Sequence, residues 1–510
     1  MDTCSELSLS LRHITACDEA LLLAWRNLPW IAALGANQRT VTPEEHHTWF
    51  TESLRRKQRC ILVAAISGTP VGMIRYDLTG VTTAEVSIYL MPEHVGRGIG
   101  TRLFAASLPL LMAWHPVNRV VARILRPNAR SLRYFQRLGF IVSDAASSAD
   151  VIEATKELEP IRHSRPCVSD AEAAAAAAVV LSGQLARGPV CQQLEARWCS
   201  ETSMPLAATV GSGLAALRLA LLALGIGPGD EVIVPAYSCV ALLNPILALG
   251  ARPVLADVLL DDWTLSPIDA AARLTARTKA IVAVHLFGAP AKLTPINSLG
   301  IPVIEDCAHG IGGQVDGHPF GSKGSINIGS FYATKMIAAG EGGIVASSSG
   351  EIIRRVREAS DYSDRPPDPR YLNDKMTDVE AAIALEQLRR LPQMLRARAE
   401  RAAFYHSHLR SLAAAGLLRL PAPTDGRIWY RYPVRLLQHD AAAITRRMSE
   451  LGVQAEQPVW DFRPSEYWSD GLEVADIAFK QLLSLPLYPD LSLLEQERVC
   501  HTLSYVIKGM

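Results

Sequence analysis

No two of the nine cysteines form a C-x-x-C pair, so neither a zinc site nor a disulfide-stapled framework is expected; reduced thiols in a cytoplasm fit better. Neither sign of charge is in excess: 51 basic groups balance 51 acidic ones, which excludes a generic binder of nucleic acid or of an acidic membrane. Asp2 and Glu6 stand where a secretory signal would carry positive charge, so export is not expected. One charge-free run, Val232 to Ala251, is long enough to cross a bilayer, but Pro235, Ser238, Asn244, Pro245 and Gly250 interrupt it. A buried strand, a turn and a core helix account for that run, and no membrane span is expected. With 49% apolar and 20% charged residues the chain can bury large cores. Its 510 residues imply several domains of about 100–200 residues each.

Up to about residue 155, strand-like and helix-like segments alternate. Leu7 to Leu11, Cys60 to Ile66, Val71 to Tyr76, Glu85 to Leu90 and Arg119 to Leu125 read as strands. Thr42, followed by Pro43, Glu44 and Glu45, opens a helix, and Asn128 to Leu138 is a helix closed by Gly139. The periodicity fades from Ala145, and a boundary is expected near residue 160, with 159–168 as linker. Asp170 is the expected cap of an alanine-rich helix. Apolar strands then alternate with long helices to about residue 345: Glu231 to Val234, Pro253 to Asp257, Ala280 to Val284 and Pro302 to Glu305. That pattern predicts an α/β domain with a mostly parallel sheet covered on both faces. A helical region from Asp378 to Leu412 leads to a mixed terminal section with a strand at Tyr432 to Leu437.

Gly96-Arg-Gly-Ile-Gly100 lies between a strand and a helix, where bare amides and a helix N-terminus can meet an anion. By itself the loop fits a phosphate site or a tight turn; the full dinucleotide spacing is absent. About thirty residues later comes Asn128-Ala-Arg-Ser-Leu-Arg-Tyr-Phe-Gln-Arg-Leu-Gly-Phe140. Together the two motifs resemble the GNAT acetyltransferases, over residues 7 to about 155. The resemblance implies that Arg97, Gly98, Gly100 and Thr101 hold the pyrophosphate of acetyl-CoA, with Asn128 beside them, while Leu90 and Met91 offer backbone groups to its pantetheine arm. Val95 stands where the family has Gln or Arg, and Phe135 where it often has tyrosine, with Tyr134 one place earlier. Acetyl transfer to an amine needs a base and an acid. Glu85 is the candidate base, acting through water, or else a solvated strand-end acid; Tyr134 is the candidate acid. His46 and Trp49 either shape the acceptor pocket or pack a helix face.

Three features of the larger part fit together: Ser330-Phe-Tyr-Ala-Thr-Lys335 before Gly340-Glu-Gly-Gly343, Val303-Ile-Glu-Asp306 before Cys307-Ala-His309, and Thr209-Val-Gly-Ser-Gly-Leu-Ala-Ala216 opening a helix. An acid at the carboxyl end of a parallel strand lies where open α/β sheets bind ligands. A lysine nearby can bond to pyridoxal phosphate, an aspartate can keep its ring nitrogen protonated, and the helix start can cradle its phosphate. These residues, with Gly227-Pro-Gly-Asp-Glu-Val-Ile233, Val284-His-Leu-Phe-Gly288, Asn373-Asp-Lys-Met376 and Leu485-Pro-Leu-Tyr-Pro489, resemble the DegT/DnrJ/EryC1/StrS sugar aminotransferases, of aspartate-aminotransferase fold (fold type I), from about Pro166 onward.

That resemblance implies a large domain from 169 to about 400 and a smaller α/β domain from about 401 to 510, after a GNAT domain over 1–158. It implies Lys335 as the Schiff-base lysine and proton shuttle, Asp306 on the pyridine nitrogen, and His309 near the ring and its 3-oxygen. Ser330, with the amides of Gly213 and Leu214, would bind phosphate. Asn373 would reach the phosphate of a neighbouring subunit, implying a homodimer. Leu214 replaces a family threonine, Lys375 an arginine, and Cys239 the stacking aromatic, leaving His309 or Tyr237 to cover the ring. No metal is implied.

An amine-forming half joined to an amine-acetylating half implies two consecutive steps. Amino transfer, with glutamate as donor, to a nucleotide-linked keto-6-deoxysugar precedes N-acetylation of the product, for glycan or polysaccharide synthesis in the cytoplasm. In the alternatives, the first domain acetylates an unrelated amine or only senses acetyl-CoA, or the larger part is a regulator that binds pyridoxal phosphate. Trp429 to Tyr432 and Trp460 are candidate sugar contacts.

Overall fold

Strands β1 (Leu9–His13), β2 (Arg59–Ile66), β3 (Thr69–Leu78), β4 (Thr83–Leu90), β5 (Arg119–Leu125), β6 (Ile141–Ser143) and β7 (Val151–Glu157) form one sheet in the order β1-β2-β3-β4-β5-β7-β6. They belong to a computed structural model that describes residues 9–33, 39–143, 150–363, 367–461, 463, 467–468 and 470–509. The first two residues of the strand expected at Leu7 to Leu11, and Ala145, lie outside the described residues. Every pairing in the sheet is antiparallel except β4 with β5, which run parallel and pair only from Thr83 to Glu85 against Arg119 to Val121. Beyond those pairs both strands continue unpaired with each other, so the sheet splits toward Leu90 and Leu125.

Local chemistry sets the helix ends. Thr42 accepts from the Glu45 N–H, the Glu45 carboxylate returns to the Thr42 N–H, and Pro43 occupies the first helical position of Pro43–Arg55. Asn128 caps Ala129–Arg137 by accepting from the Ser131 N–H, 3.0 Å away. The alanine-rich helix Asp170–Ser182 is capped by Ser169, not Asp170: the Ser169 hydroxyl accepts from the Ala171 N–H, while Glu172 binds back to Ser169. An aspartate in the first turn serves the helix dipole instead.

The chain divides into two units. The first runs to Ile161 and also takes in Arg447–Val453 and Glu497–Gly509, from the stretch expected to form the small terminal domain. Within it, the Ile161 N–H donates to the Gly452 carbonyl at 2.9 Å, and the buried Arg498 guanidinium donates to the carbonyls of Val117 and Leu451.

In the second unit, Arg162–Arg446 with Gln454–Gln496, apolar runs make β8 (Leu206–Val210), β9 (Glu231–Pro235), β10 (Arg252–Ala256), β11 (Thr278–Val284) and β12 (Val303–Asp306). A short hairpin, β13 (Gln314–Val315) and β14 (His318–Pro319), precedes β15 (Ile326–Ser330) and β16 (Gly343–Ser347). The large sheet has the order β10-β9-β11-β12-β15-β16-β8; its first five strands are parallel, and β16 runs against both neighbours. Val232, Ile233 and Val234, like Ile281 and Val282, are wholly buried, as helices on both faces require. A second, antiparallel sheet of β17 (Leu418–Arg419), β18 (Tyr432–Leu436) and β19 (Leu482–Leu485) forms the smaller layer. The helix Asp378–His408, capped by Thr377 and Glu380, precedes it.

One buried carboxylate secures the end of β12. Glu305, with no exposed surface, accepts from His285 Nε2 at 2.8 Å and from the N–H groups of Gly321, Lys323 and Gly324 at 2.6, 3.0 and 2.8 Å. The Ala291 N–H donates to His285 Nδ1, so Nε2 is the nitrogen that donates to Glu305. Burial alone would raise the Glu305 carboxyl, but His285 and the amides outweigh it and hold it below its usual range. Glu305→Gln puts an N–H₂ group against these donors and should cost about 2–3 kcal/mol in a denaturant melt. Because its folded-state value is depressed, Glu305 stabilises the fold above the ordinary carboxylate range and loses that effect as pH falls. The variant should therefore show a shallower acid limb; equal stability and an equal limb would overturn this assignment.

Candidate active sites

Parallel strands deliver their carboxyl ends to one edge of the sheet, and that edge bears a cavity of about 280 Å³. Asp306 ends β12 and Ser330 ends β15. β8 runs in the direction of β15 and leads through Ser212 into the helix Gly213–Ala223. Lys335 follows Ser330 by five residues, and its Nζ lies 3.0 Å from His309 Nε2. Asp306, His309, Ser330, Lys335, Gly213, Leu214 and Cys239 all line this cavity. Tyr237 does not: it is 1% exposed and packs edge-on against Phe479 at 4.8 Å, so of the two rings expected over the cofactor only His309 is at the cavity.

The cradle at the helix start is built for backbone. A Cβ on Gly213 would stand 2.6 Å from Ser330 Cβ and one on Gly343 would stand 2.3 Å from the Ser212 carbonyl oxygen, so neither position admits a side chain. The Ser212 hydroxyl caps the helix by accepting from the Ala215 N–H at 3.0 Å. The first N–H groups of the helix thus lie beside the Ser330 hydroxyl, a donor set suited to a phosphate. Sequence reasoning missed Ser212, although a serine directly before a helix of small residues is a cap signal.

Charge in the cavity is finely divided. Asp306 is buried, and burial raises its carboxyl, against the Ala308 N–H, which donates to Oδ1 at 2.8 Å, and against the Lys335 amine. A cation brought to its other oxygen would reverse that rise. Burial holds His309 well below its ordinary value, and the positive fields of Lys335 and Arg431 lower it further, so the ring is neutral. Its Nδ1 is buried without a hydrogen-bond partner. The Tyr430 ring stacks on His309 with centroids 4.2 Å apart and planes 18° apart. Lysine, buried aspartate, aromatic histidine and phosphate cradle together fit the functional groups of pyridoxal phosphate.

Other expected contacts lie elsewhere. Asn373 is exposed and outside the cavity lining. Lys375 pairs with Asp361 at 2.9 Å. Of the candidate sugar contacts, Tyr432 is fully buried and bonded to His406 at 2.8 Å, which removes it from any ligand surface. Trp429 is half-buried under the Arg427 guanidinium, and Trp460 is 75% exposed.

In the first unit, Gly96 and Gly98 take φ of +81° and +76°, which only glycine adopts cheaply, and Gly98 begins the helix Ile99–Trp114 without a side-chain cap. The helix therefore presents free N–H groups, with Arg97 and Thr101 exposed beside them. The Tyr134 hydroxyl donates to the Gly100 carbonyl at 2.8 Å, and its ring edge covers Gly100. Burial pushes the Tyr134 phenol above its ordinary range, so it stays protonated. The Met91 N–H is taken, donating to Val71 O, and its carbonyl accepts from the His94 N–H with one lone pair left. Ladder alternation turns the Leu90 N–H and carbonyl the other way, toward the gap between β4 and β5. Asn128 spends its side chain on the cap described above. Glu85 lies on β4 with Arg123 Nη1 at 3.5 Å. His46 is 3% exposed, packed between Trp49 and Phe50, and neither ring nitrogen has a partner; burial keeps it neutral.

Comparison with known proteins accords with this geometry. Residues 166–504 match the DegT/DnrJ/EryC1/StrS aminotransferase family, and residues 22–140 match the acetyltransferase (GNAT) family. The aminotransferase TlmJ from Streptoalloteichus hindustanus is 32% identical, with a TM-score of 0.64 over 68% of this chain and 99% of its own. DesV from S. venezuelae is 30% identical, with a TM-score of 0.60 over 66% of this chain and 95% of its own. A Bacillus subtilis protein, ntda, solved with bound cofactor PMP, is 29% identical, with a TM-score of 0.61 over 66% and 82%. The chain belongs to the DegT/DnrJ/EryC1/StrS aminotransferase family and carries a GNAT acetyltransferase domain ahead of it.

Proposed function

We propose that the second unit transfers an amino group, with glutamate as donor, to a nucleotide-linked keto-6-deoxysugar, and that the first unit then N-acetylates the new amine with acetyl-CoA. The observation that carries the first step is the convergence of the Lys335 amine, the buried Asp306 carboxyl and the Ser330–Gly213 cradle on one cavity. Pyridoxal phosphate, bound there, supplies an aldehyde for amines and a ring that accepts electrons from the adjacent carbon. Ser330 and the amides of Gly213 and Leu214 bind and orient its phosphate. Asp306 keeps one oxygen for a protonated ring nitrogen while Ala308 holds the other. Lys335 Nζ takes the proton from the donor carbon and returns it to the acceptor carbon, and neutral His309 leaves that amine free to do so. Asn373, exposed at the surface, suits contact with a second copy of the chain, which supports a homodimer with shared sites.

For acetyl transfer, the Gly96–Gly100 amides and Arg97 hold the pyrophosphate, and Leu90 offers backbone to the pantetheine arm. Tyr134 is the acid for the departing thiolate. Glu85, its charge balanced by Arg123, draws the ammonium proton through water.

Product analysis by mass spectrometry, with a panel of keto-sugar nucleotides, glutamate and acetyl-CoA, tests the pair of steps. Lys335→Ala should yield no aminated product yet still acetylate a supplied amino-sugar nucleotide; loss of both in a folded variant would overturn the two-site reading. Acetyl-CoA binding without thiol release would leave the first unit a sensor. Tyr134→Phe should lower acetyl turnover about 100-fold while KM for acetyl-CoA stays within about threefold. Because burial raises that phenol, wild-type acetyl transfer should show no alkaline loss from it below about pH 10; unchanged turnover in the variant would exclude the phenol.

A further inference from the structure

Tyr430 comes from the residues just before β18, is 4% exposed, and packs behind His309, outside the lining of the Lys335 cavity. Its ring is fixed at several points. One face stacks on His309 at 4.2 Å, Lys335 Nζ lies 5.7 Å from its centroid, and the Arg431 guanidinium lies 5.5 Å from it. Arg398 Nη1 donates to its carbonyl at 3.0 Å. Among the described residues His309 has no comparable anchor: its Nδ1 has no partner, its Nε2 meets Lys335, and another aromatic neighbour, Phe287, is 6.2 Å away. An imidazole without a second hydrogen bond takes its orientation from packing, and here the close packing partner is Tyr430.

We propose that Tyr430 is a positioning residue for Lys335: its ring sets the plane of His309, and His309 Nε2 together with the ring face sets the direction of the lysine amine. This rests on the reading of Lys335 given above. The aromatic face is what acts. Packing against the aromatic face and a directed hydrogen bond restrict the same amine from two sides, so a long side chain with several rotatable bonds keeps one direction.

The test uses the full chain without cofactor. Pyridoxal phosphate is added, the C–N bond formed between Lys335 Nζ and the aldehyde, with loss of water, is fixed by borohydride at timed intervals, and the Lys335 peptide is quantified. Tyr430→Leu and Tyr430→Met fill the space without an aromatic face; whichever keeps the wild-type melting curve should slow capture about fivefold or more. Tyr430→Phe should restore it to within about twofold. His309→Asn should slow capture to a similar extent and, in that background, removing the ring should add less than about twofold. Capture at the wild-type rate without the ring, a Phe variant as slow as Leu, or an undiminished effect beside His309→Asn would each overturn the proposal. If neither aliphatic variant folds, the Phe variant and His309→Asn decide it: slow capture in the first or wild-type capture in the second overturns it. Wild-type protein with no label at Lys335 would instead overturn the underlying reading of that lysine.

Discussion

Parallel strands point every carboxyl end to one edge of the sheet, and the main site of this protein follows from that constraint. β12 delivers Asp306, β15 delivers Ser330, and β8 turns through Ser212 into a helix whose first amides face the same edge. Partial positive charge from the helix start and a buried negative group from β12 thus meet without either chain segment leaving its regular path. Keeping acids at the ends of such apolar strands requires donors. Glu305 receives four, three of them backbone amides of residues 321–324, so the loop beyond the hairpin is tied to the strand that carries Asp306.

Solvent exclusion then sorts the titratable groups by role. Glu305 is saturated and serves the fold. Asp306 is satisfied on one oxygen only, which leaves capacity for a ligand cation. His309, between the positive fields of Lys335 and Arg431, stays neutral and offers the lysine a hydrogen-bond acceptor instead of a competing charge. The first unit uses a different device: its sheet splits where β4 and β5 part, and the bare helix start after Gly98 meets a phenol kept neutral by burial.

Much of this was legible in order and spacing. An acid ending an apolar strand and small residues opening a helix are local signals, and each lies where it was expected relative to its own element; that Ser330 ends a strand was not read from the sequence. Thr42 and Asn128 were legible as helix starts because a cap acts within four residues. Ser169 was passed over for Asp170 because both residue types cap well and only the hydrogen bonds distinguish them. Met91 read as an available backbone, but the partner that consumes its N–H, Val71, lies on the neighbouring strand twenty residues earlier. Tyr430, Tyr432 and Tyr237 share one residue type and similar apolar surroundings in the sequence. One stacks on a catalytic-site histidine and two fill cores, a distinction that depends on which element packs over them.

By itself, then, the amino-acid order determined the two kinds of domain, the parallel sheet and the strand end that carries Asp306, because propensity, capping and hydrophobic period act over a few residues. Only the tertiary structure decided that Tyr430 from the smaller layer backs His309, that four donors saturate Glu305, and that segments near residues 450 and 500 belong with the first unit. Those outcomes depend on contacts between residues a hundred or more positions apart, or on which loop closes over a buried charge, and no periodicity within one segment encodes them.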